Sequence, residues 1–130
     1  MANTMNNRPL SPHLSIYKRI PTMMMSIMHR ITGGALYVGT ILVAWWLIAA
    51  ASGEVYYDWV SAIFSSVIGR LVLFGYTWAL VHHALGGLRH FMWDFGYGFD
   101  KAFSTLMAKA NLAGSVVLTI LIWIVGYAVR

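Results

Sequence analysis

Uncharged, largely apolar positions along this chain collect into three long runs, residues 31–53, 71–88 and 110–129, each eighteen to twenty-three residues in length. About 20 residues of helix cross the hydrocarbon core of a bilayer, so each run is long enough to span it. The pattern predicts an all-α membrane protein with three transmembrane helices, at about 22–52, 60–92 and 104–128. Residues 1–21 read differently: they are polar and carry Pro9, Pro12 and Pro21. Each proline biases the residue before it towards extended geometry. This stretch is therefore expected to be an extended arm, with 22–130 as the membrane domain. Residues 55–69 fit either an outward extension of the second helix or a segment lying in the interface.

Composition supports the membrane reading. Of 130 residues, 59% are hydrophobic and 10% charged, where a soluble domain has about a quarter charged. Three helices bury little among themselves, so partner subunits are expected. With no cysteine, the chain has neither a disulfide framework nor a thiolate metal site, and any iron–sulfur chemistry belongs to another chain. The formal charge of +5 is unevenly placed. Arg8, Lys18, Arg19, Arg30, Arg89, Lys101 and Lys109 fall on one side of three spans; Arg70 and Arg130 accompany Glu54 and Asp58 on the other. Basic residues favour the cytoplasmic side, so the N-terminus is expected in the cytoplasm, or the matrix of an organelle. That distribution sets topology and argues against nucleic-acid binding. Residues 1–7 lack the Arg-rich amphipathic character of a transit peptide. A multi-pass protein of the bacterial inner membrane fits, or of the mitochondrial inner membrane if organelle-encoded.

The second span carries the chemistry. His82, His83, Arg89 and His90 interrupt an apolar helix, and ionisable groups at membrane depth usually face a protein interior and mark a functional path. At 100° per residue Tyr76, Ala79, His83, Gly86, Gly87 and His90 share a stripe, while His82 lies about 100° away with Gly75, Gly86 and Arg89. Histidine beside small residues suits a haem axial ligand, and equally a hydrogen bond across a helix seam. Arg89 and His90 lie about 9–10 Å along the axis from His83, a workable distance for cations meeting haem propionates. Ordinary snorkelling also accounts for Arg89. In the first span Ser26 and Arg30 are one turn apart. Such a pair can bind a quinone carbonyl and stabilise the negative charge that develops on reduction, or simply mark a helix entrance with a topology-setting arginine. Met23, Met24, Met25 and Met28 read as adaptable apolar lining. Asp94 and Asp100 fall in a loop without metal-ligand companions, and the third span has no ionisable group between Lys109 and Arg130.

Three blocks together resemble a known family. They are Arg8-Pro9-Leu10-Ser11-Pro12-His13-Leu14-Ser15-Ile16-Tyr17, then Ser26-Ile27-Met28-His29-Arg30-Ile31-Thr32-Gly33, then His83 through Arg89-His90 to Trp93-Asp94-Phe95-Gly96-Tyr97. In this order they resemble the cytochrome b membrane-anchor subunit of succinate dehydrogenase, respiratory complex II, over almost the whole chain. The resemblance implies that His83 ligates haem b, with His82 as the neighbouring alternative, and that His29, Arg30 and His90 meet the haem propionates. It implies that Ser26 and Arg30 belong to the quinone site. It also implies a larger helical bundle, in which a second membrane-anchor subunit supplies the other haem ligand.

The activity so implied is divided among chains. Succinate is oxidised at FAD in a flavoprotein subunit, electrons pass through the clusters of an iron–sulfur subunit, and ubiquinone is reduced at the membrane surface. This chain would be a subunit of that enzyme that does not bind succinate, its arm docked near the iron–sulfur subunit. A haem b subunit of another quinone-linked enzyme, such as a formate dehydrogenase or hydrogenase, would place histidines at both faces. His13, His29, His82, His83 and His90 all fall in one half. A haem-free structural anchor or small transporter subunit would show no visible chromophore.

Overall fold

The computed structural model describes residues 18–129, all helices and short connections. The arm up to Tyr17, with the first resemblance block and His13, lies outside the described residues, as does Arg130. The helices are α1 (Pro21–Ser52), α2 (Glu54–Ser65), α3 (Val67–Asp94) and α4 (Lys101–Ala128). Three of them, α1, α3 and α4, are long and apolar enough to cross a membrane. The expected second span at 60–92 is divided. A separate helix runs to Ser65, and α3 begins only at Val67.

Local chemistry explains the breaks. Pro21 opens α1, where its missing N–H is no loss. At Ser66 the backbone turns extended, and the Ser66 hydroxyl oxygen accepts the Gly69 N–H at 3.1 Å, capping α3. Gly69 has no side chain, so the turn can fold directly over it; a Cβ there would collide with the backbone of Ile63 and Phe64. Asp100 caps α4 by accepting the Phe103 N–H at 2.9 Å. The α3–α4 connection needs positive φ at Gly96 and Gly98, 84° and 83°, a region open to glycine at little cost.

Helix α3 is central and meets α1 on one side and α4 on the other. The α1 seam is built by rings resting on glycines. His29 lies over Gly86, His83 over Gly33 and Tyr76 over Gly39, so that a Cβ at Gly86 or Gly39 would overlap the ring. The α4 seam is polar. Asn111, Ser115 and Thr119, spaced four apart, are buried towards α3, which answers with His82 and Arg89. At the opposite end from the histidines, α2 folds back on α1. Ala49 and Val60 are fully buried there, and the Trp45 indole N–H donates to the Tyr56 hydroxyl at 2.8 Å. Within the chain, only 11–17% of each span's most apolar window is buried. The remaining apolar flanks therefore have to face lipid or other subunits.

Candidate functional site

Residues from α1 and α3 converge near the end of the bundle that carries Pro21 and Asp94. The rings of His29 and His83 stack in parallel, 3.9 Å between centroids and 5° between planes. His90 joins them, its centroid 5.1 Å from that of His29, with its own flank set edge-on against Trp93 at 5.0 Å. Trp93 is in turn fixed by donating its indole N–H to the Gly98 carbonyl at 3.3 Å.

The protonation of His83 can be read from its neighbours. Thr32 donates its single hydroxyl hydrogen to the carbonyls of Met28 and His29, at 2.9 and 3.0 Å. The Thr32 oxygen stands 3.4 Å from His83 Nδ1 and has no second hydrogen to give. His83 Nδ1 also lies 3.1 Å from the His29 carbonyl oxygen, which can only accept. The proton of the neutral ring is therefore on Nδ1, donated to that carbonyl, and in that form Nε2 keeps its lone pair. This is the arrangement a metal-ligating histidine needs, with its other nitrogen tied to a backbone carbonyl. Gly33 makes the approach possible: a Cβ there would sit 3.0 Å from His83 Cε1.

The adjacent histidine has a different environment. His82 is fully buried on the α4 side. Ser115 donates to the Leu112 carbonyl at 2.8 Å, so its oxygen accepts from both Trp78 Nε1 at 3.2 Å and His82 Nδ1 at 3.3 Å. His82 Nε2 is shielded and without a partner. Arg89, seven residues on, shares this side. It is buried, and its guanidinium carbon lies 5.0 Å from the centre of the Trp93 ring. Arg89 and His90, adjacent in sequence, part to different seams, as the stripe shared by His82 and Arg89 predicts. Seven residues is two turns, so Arg89 follows His82 to the α4 seam, and His90 alone stands with His29 and His83.

Ser26 and Arg30 lie in the opening turns of α1, the serine half-buried and the arginine exposed. Neither side chain forms a hydrogen bond among the described residues, which leaves both available to a ligand or another chain. No group of three His, Asp or Glu suited to holding a bare metal ion occurs among the described residues. A haem fits better than an ion. His83 offers one imidazole with a free Nε2, and one turn along α3 from it α1 and α3 form a groove of about 460 Å³, lined by Gly34, Gly75 and Ala79 among others. Nothing stands within 4 Å of a Cβ placed at Gly34, Gly75 or Gly87. His29 Nδ1, packed against Gly86, is a shielded polar atom still lacking a partner.

Sequence reasoning missed Gly33 and Gly39 as ring seats and Ser115 as the acceptor for two helices. The 111/115/119 spacing of polar residues in an apolar span was the available signal for the last.

A three-span helical membrane protein with imidazoles gathered at one end is the class these features define. The chain matches, over residues 4–122, the family of succinate dehydrogenase/fumarate reductase transmembrane subunits, and it belongs to that family. It is 44% identical over 119 residues to the succinate dehydrogenase cytochrome b556 subunit of Paracoccus denitrificans, covering 92% of each chain. It is 37% identical to the subunit of that name from Rickettsia felis, covering 92% of this chain and 93% of the other. The mitochondrial cytochrome b560 subunit of Bos taurus is 40% identical over 98 residues, covering 74% of this chain and 58% of the bovine one.

Proposed function

We propose that this chain is the haem b-binding membrane anchor of a succinate:quinone oxidoreductase and forms part of its ubiquinone site. The observation carrying this is the His83 imidazole, held by its Nδ1 proton on the His29 carbonyl with Nε2 free. His83 would ligate the iron, and His29, Arg30 and His90 would hold the propionates as cations or hydrogen-bond donors. When bound, haem b supplies a site that accepts and returns one electron.

Ser26 and Arg30 bind the quinone, whose carbonyl oxygen accepts from the hydroxyl and the guanidinium. The fixed positive charge of Arg30 favours the quinone as it gains electrons, since opposite charge at close range is worth more in a poorly hydrated site than in water. The quinone takes up two electrons and two protons in full reduction. Succinate oxidation and the iron–sulfur relay belong to the flavoprotein and iron–sulfur subunits. A second anchor subunit would supply the other ligand to the haem. The basic end, with Lys18, Arg19, Lys101 and Lys109, faces the cytoplasm of a bacterial inner membrane, so the quinone site opens where the peripheral subunits dock.

The test is the reduced-minus-oxidised visible spectrum of the complex purified through a tag on this chain, for wild type, His83→Ala and His82→Ala. A b-type signal lost in His83→Ala and kept in His82→Ala is expected. A signal that survives His83→Ala refutes the ligand assignment.

A further inference from the structure

At the end of the bundle away from the histidines, all four helices converge on a lateral cavity of about 480 Å³. Trp46 of α1, Tyr57 and Ser61 of α2, Arg70 of α3, and Trp123 and Tyr127 of α4 stand in its wall. The aromatic rings form two packed pairs, Trp46 with Tyr57 and Trp123 with Tyr127, each 5.9 Å between centroids. These walls are held from both sides by separate helices.

The depth of the cavity follows from α3. Arg70 and Arg89 bracket its uncharged run and are nineteen residues apart, about 29 Å of helix. The hydrocarbon core is about 30 Å thick. Arg70 therefore lies at the far interface when Arg89 lies at the near one. Tryptophan and tyrosine favour that level.

The chemistry of the wall is one-sided. Arg70 is exposed and forms no ion pair among the described residues, although Glu54 and Asp58 stand on the neighbouring α2. The hydroxyls of Tyr57 and Tyr127 and the Trp46 indole N–H make no hydrogen bonds among the described residues. Ser61 Oγ is shielded and without a partner. Trp123 has its N–H engaged by Thr77 Oγ1 at 3.2 Å. Among the described residues no carboxylate lines the cavity. A wall with a guanidinium and several hydrogen-bond donors, and no acidic side chain, matches a ligand made of acceptors, and Arg binds phosphate oxygens two at a time. The share of liquid volume taken by one water is about 30 Å³, so the space suits a far larger group. Leu73 and Ile122 continue the wall as apolar surface.

We propose that this cavity binds the phosphodiester head group of one phospholipid from the leaflet at the Glu54 end. Arg70 takes the phosphate oxygens, Tyr57 and Tyr127 add hydroxyl donors, and the acyl chains lie along Leu73 and Ile122. This site is separate from the histidine cluster and does not depend on the function proposed for it.

The experiment uses the whole complex, purified through a tag on this chain and washed with detergent, with bound phospholipid counted by native mass spectrometry. Wild type should keep one phospholipid that Arg70→Gln keeps about tenfold less often, with both complexes containing the same subunits. Adding dioleoyl phosphatidylglycerol should raise the melting temperature of washed wild type and leave that of Arg70→Gln unchanged. If Arg70→Gln fails to assemble, the double variant Tyr57→Phe/Tyr127→Phe should show the same loss of retained lipid. Equal retention in wild type and the assembled variant overturns the proposal. So does stabilisation by inorganic phosphate equal to that by lipid, which would make the ligand a free ion. A cross-link placing a carboxylate of another subunit on Arg70 overturns it as well.

Discussion

Replacing Gly86 with alanine would place a methyl group where the His29 ring lies, since a Cβ at that position overlaps His29 Nδ1. The nearest atoms belong to a ring held against His83 on its other face, so the ring has to leave its seat or α1 has to move from α3. Overpacking of this kind costs about 1–3 kcal/mol, and losing the stacked contact costs about 0.5–1.5 kcal/mol more. Alanine returns about 1 kcal/mol through its better helix propensity. The net expected loss is about 2 kcal/mol, roughly a thirtyfold change in the folded-to-unfolded ratio. Gly114→Ala is the matched control: its Cβ would meet Leu85 Cδ1 at 3.6 Å, an ordinary contact. The propensity gain there is unopposed. Melting temperatures of the two purified complexes at one scan rate, in one detergent, measure the difference. Gly86→Ala should melt below wild type and Gly114→Ala at or above it. A Gly86→Ala complex as stable as Gly114→Ala would refute the ring-on-glycine account of the α1–α3 seam.

Ser115→Ala strips the acceptor from both Trp78 Nε1 and His82 Nδ1. Two donors left unmade, one buried and one half-buried, should cost about 3 kcal/mol, seen as a large fall in melting temperature, and an unchanged value would remove Ser115 from the seam. Arg89→Lys keeps the charge but loses the planar group beside Trp93, and should cost about 1 kcal/mol. Because Arg89 faces α4, the visible spectrum of that variant should match wild type, and a displaced haem band would contradict its placement.

Much of this arrangement was legible in the chain because membrane spans obey a simple rule of length and hydropathy. Three uncharged runs located α1, α3 and α4, and helical periodicity put His82 and His83 on different sides. What periodicity could not supply was the identity of each neighbour. Gly33 and Gly39 look alike in sequence to the open Gly34, and only the crossing of α1 with α3 makes the first two seats for rings. Residues 55–69 stay open in sequence between an extension of the span and a separate segment, for a related reason. A serine between apolar residues is compatible with a continuous helix until its hydroxyl is found capping Gly69. Periodicity also groups Arg89 with His82 rather than with its neighbour His90, but it cannot say that α4 is the helix they meet.

Two neighbouring imidazoles on α3 grip different helices, His83 the His29 carbonyl of α1 and His82 the Ser115 hydroxyl of α4. Together they act as a detent on the rotation of α3 about its own axis. A twist in either sense that carries His83 off its carbonyl also drags His82 from its hydroxyl, leaving two donors unmade rather than one. The angular aim of His83 Nε2 is therefore set by a residue that points away from it. α4, which brings no imidazole of its own, helps to steer the nitrogen by which His83 would reach a metal.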